Sequence, residues 1–303
     1  MILAADLPVP PPHDFVVNQT GQAILTYAQI IPVTVCLVIS FRLLLRHRDP
    51  AMLLCLFGGL VAGLCEPLLD VSTNTWLGSP EQGQWYAFNT LGHSFPLWTL
   101  GSYTWYVGGQ AFLVYYLLRS RGLAGGRRIL WLCFGLSVVT DFLLEEPGMA
   151  LGAYMYYGPQ ALKPLHLPLF WLAANSAIPV VLGVVLYMLR PRLTRWKALL
   201  IVALGPIIAG GVWGATLFPV ANAMNAATPL PMPIIQLAGI ATVALAVLCV
   251  WLVSQILPPT GQTTSTLTSE AQRYHEDRTS RSTDQDPPTT APESSARSHA
   301  TSA

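Results

Sequence analysis

The chain has 303 residues, 52% of them hydrophobic and only 10% charged, with a mean hydropathy of +0.48. Soluble domains carry about 25% charged residues, so this composition excludes an ordinary soluble fold and makes a lipid bilayer the solvent. A formal net charge of +1 supplies no basic surplus for holding nucleic acid, and none is expected as a partner.

Residues 1–21, with Pro8, Pro10, Pro11 and Pro12, read as a loose external arm, because consecutive prolines fix φ and offer no backbone donor. The arm lacks a positive segment followed by an apolar core, so it is not expected to be a cleavable signal peptide. It carries the sequon Asn18-Gln19-Thr20, which matters only in a host that glycosylates secreted segments.

Crossing about 30 Å of hydrocarbon takes roughly 20 helical residues. Apolar runs of that length fall at about 22–45, 51–71, 97–119, 129–149, 167–189, 196–218 and 233–257. The predicted fold is therefore all-α, a polytopic bundle of about seven transmembrane helices over residues 22–257. Arginines and lysines follow the first, third and fifth runs (Arg42, Arg46 and Arg48; Arg119, Arg121, Arg127 and Arg128; Arg190, Arg192, Arg195 and Lys197), whereas loops 72–96, 150–166 and 219–232 hold only Lys163. Basic loops stay in the cytoplasm, so the N-terminus is expected outside and the C-terminus inside a cell membrane, of the bacterial plasma type. The five cysteines, Cys36, Cys55, Cys65, Cys133 and Cys249, fall in apolar runs without CxxC spacing and read as packing residues. From Pro258 onward, residues 258–303 turn to Ser, Thr, Pro and mixed charge, the composition of a disordered cytoplasmic tail.

Segments 66–98 and 146–171 share an order: Glu-Pro (Glu66-Pro67, Glu146-Pro147), an aromatic stretch, then His93 with Pro96, Leu97 and Trp98, or His166 with Pro168, Leu169, Phe170 and Trp171. A duplicated helical hairpin accounts for this, and so does the ordinary gathering of prolines and aromatics at membrane interfaces.

The strongest functional signal is a set of carboxylates at the outer ends of the second and fourth runs: Glu66 and Asp70, then Asp141, Glu145 and Glu146. Ionisable residues inside a span mark a functional site by default. Glu66 and Asp70 are four residues apart, as are Asp141 and Glu145, so each pair shares one face of a regular helix. Pro67 and Pro147 are expected to break or kink those helices, and broken helix ends line cavities. For Asp70, Glu145 and Glu146 a wetted place among the headgroups is the competing reading. A carboxylic acid held in an apolar pocket is suited to general acid catalysis.

His93 and His166 lie on the same outer side. With the carboxylates they would make a mixed metal site, yet no HxxxH, HExxH or CxxC spacing is present, and interfacial hydrogen bonding explains them as well. Asn175 sits a couple of turns inside the membrane. Trp98, Trp105, Tyr106 and Trp171 belong to an aromatic outer half that serves either as an interfacial belt or as a cavity wall, whose π-faces stabilise a cation. Gly108, Gly109, Gly205, Gly210, Gly211 and Gly214 read as helix-packing positions.

A retinal protein needs a lysine in its last span, and there is none; phosphate chemistry on the outer face lacks basic partners. A small, histidine-poor membrane protein with carboxylates beside proline and many aromatics resembles the membrane-bound carotenoid and terpene cyclases and hydratases, without matching a motif of theirs residue by residue. That resemblance implies protonation of an olefin by a carboxylic acid. The expected function is an intramembrane enzyme acting on an apolar isoprenoid- or carotenoid-like lipid by cyclisation, hydration or isomerisation, a lyase or isomerase. Glu66 and Asp141 are the expected proton donor and its partner, with Asp70 and Glu145 tuning them. Trp98, Trp105, Tyr106, Trp171, Asn175, His93 and His166 would contact substrate. No cofactor is expected, the alternative being a divalent metal on the carboxylates. The competing functions are a proton-coupled or cation transporter using the same residues, and a non-catalytic scaffold whose tail recruits a partner.

Overall fold

Prolines decide where the first apolar stretches break. In the computed structural model, which describes residues 9–120 and 125–257, the first stretch forms α1 (Gln19–Ala28) and α2 (Ile30–His47), parted at Gln29. Pro32 has no N–H for the carbonyl of Ala28, and its ring crowds that carbonyl, so the helix parts there. The second stretch is α3 (Ala51–Ala62), a 3₁₀ turn at Gly63–Cys65, and α4 (Glu66–Thr73). Pro67 stands four residues after Gly63 and forces the change of pitch, so Glu66 opens a new helix. The third runs from α5 (Leu97–Ser102) through a π-helical segment, Tyr103–Gly109, into α6 (Gln110–Ser120). There follow α7 (Gly126–Ala150), α8 (Leu169–Leu189), a 3₁₀ turn at Arg195–Leu199, α9 (Leu200–Met224) and α10 (Met232–Gln255). Pro147 does not break α7, contrary to expectation, and α9 runs on past the expected end of its span at 218.

Five of these stretches, Gln19–His47, Ala51–Thr73, Leu169–Leu189, Arg195–Met224 and Met232–Gln255, are long and apolar enough to cross a membrane. The chain is a multi-pass helical membrane protein. Its centre is α8, where 89% of the apolar stretch is buried, against 11% for the first stretch. A helix apolar on every face and buried is a core helix, whereas one whose apolar side chains stay uncovered faces lipid. Ile30, Ile31, Val35 and Val38 on α2 are of the second kind.

Glycines let α3 touch its neighbours backbone to backbone. A Cβ on Gly59 would collide with the carbonyl of Tyr103, one on Gly108 with that of Cys55, and one on Gly205 with that of Gly58. Gly210, Gly211 and Gly214 differ from expectation: a Cβ there meets nothing within 4 Å among the described residues, so they pack against no other helix.

The expected outer loops carry unforeseen structure. β1 (Thr75–Trp76) pairs antiparallel with β4 (Met155–Tyr156), Thr75 opposite Tyr156. This short ladder ties the segment after α4 to the segment after α7 and so draws the two carboxylate-bearing helices together. β2 (Tyr86–Thr90) and β3 (His93–Pro96) form a hairpin, turned by Leu91 at φ 53 and Gly92 at φ 76. Positive φ at both central residues is the signature of a type I′ turn. Residues 9–18 are pinned where a loose arm was expected: Val17 is buried and its N–H donates to Gln82 O at 3.0 Å, while Asn18 N–H donates to Gly152 O at 2.9 Å. Asn18 of the sequon caps α1 through its side chain, accepting from Gly21 N–H at 3.0 Å. Residues 1–8 of the arm and the 258–303 tail lie outside the described residues.

Candidate functional site

Beneath the β1–β4 ladder, α4, the α5–π segment, α7 and α8 enclose a small cavity. Glu66 and Asp70 reach it from α4, and Asp141 and Glu145 from α7. Four-residue spacing puts each pair on one helical face. Glu66, Asp70 and Asp141 are buried, Glu145 half-buried. Trp98, Tyr103, Tyr106, Tyr154, Tyr156 and Trp171 form aromatic wall, and the lining residues include no lysine, arginine or histidine. About 40 Å³ is open to the centre of a water molecule, room for roughly three waters at 10–15 Å³ each.

Each carboxylate has a distinct set of donors. The Tyr103 hydroxyl donates to Glu66 Oε2 in a very short contact. The Asn175 amide, from α8, donates to Asp141 Oδ1 at 2.8 Å. Glu145 accepts from Trp171 Nε1 at 2.8 Å on Oε1 and from the Tyr154 hydroxyl at 3.2 Å on Oε2. Burial, and after it the charge of Glu145, holds the Tyr154 and Tyr156 hydroxyls well above the usual phenol range, so both stay proton donors. Tyr106 bridges α7 and α8, its hydroxyl 3.1 Å from both Ser137 Oγ and Ser176 Oγ.

Three polar atoms of lining residues are left over. Asp70 Oδ2, Asp141 Oδ2 and Trp98 Nε1 are buried without a hydrogen-bond partner among the described residues. Native folds rarely leave such groups unpaired. Two acceptors and one donor on the wall of one cavity are what a polar guest or a few waters would satisfy.

The expected residues divide. All four carboxylates, with Trp98, Tyr106, Trp171 and Asn175, line this cavity. Trp105 does not: it stands on the other side of the π-helical segment, donating from Nε1 to Gln29 Oε1 at 2.7 Å and facing a separate apolar groove. His93 lies outside as well, buried edge-on against Trp76 at 5.3 Å, with both ring nitrogens unpartnered among the described residues. Desolvation pushes its pKa down to about 4. His166 is exposed and pairs at 2.7 Å with Glu146, which also accepts from Leu167 N–H at 3.0 Å, so this pair braces the entry to α8. Trp98 and Trp171, by contrast, hold equivalent places in the two similar segments, each in the first turn of its helix and each on the cavity wall. Lys163 is held at 2.8 Å on the carbonyl of Tyr156.

Sequence reasoning passed over Tyr103 and Tyr154 as partners of the glutamates. The spacing of Tyr103 and Tyr106 on one helix was a usable signal; Tyr154 sits in a loop that folds back, where no periodicity exists to read. Among the described residues no three His, Cys, Asp or Glu side chains converge in a metal-ligating group. Fold and site thus define a multi-pass helical membrane protein with a small, acid-lined aromatic cavity. No protein-family model, curated protein or solved structure matches the chain.

Proposed function

We propose that this chain is an integral membrane enzyme that protonates an apolar lipid of isoprenoid or carotenoid type and thereby cyclises, hydrates or isomerises it. The observation that carries the reading is the convergence of Glu66, Asp70, Asp141 and Glu145 on one aromatic-walled cavity without a cationic side chain in its lining. In that setting the acids supply a proton and the aromatic faces of Trp98 and Trp171 stabilise the cation that follows. A carboxylic acid, Glu66 or Asp141, gives its proton to one carbon of a double bond. The π pair makes the new C–H bond, and the neighbouring carbon is left cationic. A second double bond or a water attacks that carbon, and a proton returns to the ionised carboxylate.

The same reading takes the chain to have seven spans, N-terminus outside, in a bacterial plasma membrane. Leu97–Ser120 and Gly126–Ala150 supply the two spans beyond the five most apolar ones: each is about 36 Å long at 1.5 Å per residue. The arginine-rich loops all fall at one end.

The test is untargeted lipid profiling of a deletion strain complemented with wild type, Glu66→Gln or Asp141→Asn, with membrane insertion of each verified. An apolar lipid that changes on deletion and is restored by wild type alone supports catalysis. The unpartnered Oδ2 atoms of Asp70 and Asp141 also suit a small cation, which is the transporter reading. Unchanged lipids with solute uptake lost in both variants would favour it.

A further inference from the structure

At the opposite end of the bundle from the acids lies a second cavity, of about 720 Å³, that the proposed chemistry does not use. Its lining brings together Arg48, Arg119 and Arg190 with the single carboxylate Asp49. Asp49 pairs with Arg190 at 2.8 Å and with Arg119 at 3.8 Å. Arg119 is also braced on the Tyr115 hydroxyl at 2.9 Å. One carboxylate against three guanidiniums leaves an excess of two positive charges, and the buried Nε–H of Arg190 has no acceptor among the described residues.

Directly along the same helices runs an apolar groove of about 520 Å³. α2 contributes Cys36, Ile39 and Leu43 to the groove and His47 to the basic cavity; α6 contributes Leu113 and Tyr116 to the groove and Arg119 to the basic cavity. Leu43 and His47 are about 6 Å apart along the axis, and Tyr116 and Arg119 about 4.5 Å. The apolar slot and the clustered arginines therefore lie within about one helical turn of each other along α2 and α6. Arginine forks match phosphate oxygens, and basic pockets between helix ends hold anionic headgroups.

We propose that this composite site binds an anionic phospholipid, its phosphate on Arg48, Arg119 and Arg190 and one acyl chain in the groove beside Leu43, Leu113 and Trp105. The charge complementarity commits the site to an anionic lipid over a zwitterionic one, and the groove commits it to a lipid over a free anion.

The experiment uses the full chain in a neutral detergent, titrated with phosphatidylglycerol, phosphatidylcholine or inorganic phosphate, and reads both the unfolding midpoint and lipid retention in native mass spectrometry. Phosphatidylglycerol alone should be retained and raise the midpoint by several degrees. Arg48→Gln with Arg119→Gln should weaken it about 25-fold, at roughly fivefold per arginine. Arg46→Gln with Arg128→Gln removes equal charge from exposed positions outside the cavity and should leave affinity within about twofold. Leu113→Trp fills the half-exposed groove without touching a charge and should also weaken retention, which keeps the proposal open to test if the double arginine variant fails to fold. Equal binding of phosphatidylcholine, an equal midpoint shift with phosphate, or equal losses in the control pair would each overturn it.

Discussion

Asn175 on α8 and Asp141 on α7 meet across the bundle core, the side-chain amide donating to Oδ1 at 2.8 Å while Oδ2 of the same carboxylate has no partner among the described residues. One oxygen is thus fixed by the protein and the other is free for a guest. Asn175→Leu removes the amide donor to a fully buried acid, and leaving such a group unsatisfied costs about 1–3 kcal/mol. Thermal unfolding of the variant in detergent should show that loss, and complementation should fail to restore the lipid profile. A variant as stable as wild type that restores the profile in full would remove Asn175 from the site.

Backbone contact between helices predicts a contrast among glycines that look alike in sequence. Gly59→Ala and Gly108→Ala push a methyl group into a neighbouring carbonyl that cannot step aside, and overpacking of that kind costs about 1–3 kcal/mol. Gly210→Ala and Gly214→Ala meet nothing within 4 Å among the described residues. There the higher helix propensity of alanine should leave the midpoint unchanged or raise stability by about 0.5–1 kcal/mol. Comparable losses at all four positions would contradict the packing described.

How far the site was legible follows from what periodicity records. Glu66, Asp70, Asp141 and Glu145 stood out because an ionisable residue in an apolar run has no cheap explanation, and their four-residue spacing put each pair on one face before any fold was known. The β1–β4 ladder that draws the two helices together left no trace, since two-residue strands are too short to show alternation. The sequence did not say which of Trp105 and Tyr106 faces the acids. Neighbours on a helix point about 100° apart, so the two could not share one wall; Tyr106 lines the cavity and Trp105 the groove. His93 and His166 occupied matching places in two similar segments, yet one lies in a buried strand and the other in an exposed loop.

The hairpin turn offers a gain of stability. Leu91 holds φ 53, a left-handed conformation that costs a branched residue about 1 kcal/mol or more, and Asn-Gly is the preferred pair for such a turn. Leu91 is 40% exposed, so little burial is lost on replacement. Leu91→Asn should raise stability by about 1 kcal/mol, measured as a higher unfolding midpoint at unchanged lipid conversion; an unchanged or lower midpoint would show the turn to be unstrained.

His93 predicts a pH dependence whose direction follows from its burial. The free imidazole titrates near 6.5, whereas desolvation in the fold brings His93 to about 4. Between those values the unfolded chain binds a proton that the folded chain refuses, so acid favours unfolding. Its contribution is complete above pH 6.5 and is lost as pH falls toward 4, reaching about 3 kcal/mol at 1.36 kcal/mol per pH unit. His93→Phe keeps an aromatic ring against Trp76 and has nothing to protonate. It also removes two buried nitrogens that lack partners among the described residues, so it should be more stable than wild type at neutral pH by about 1 kcal/mol or more. Unfolding midpoints taken at pH 7.5 and pH 5 should therefore fall less in His93→Phe than in wild type. Equal falls in the two proteins would assign the acid sensitivity to other groups and remove His93 from the account.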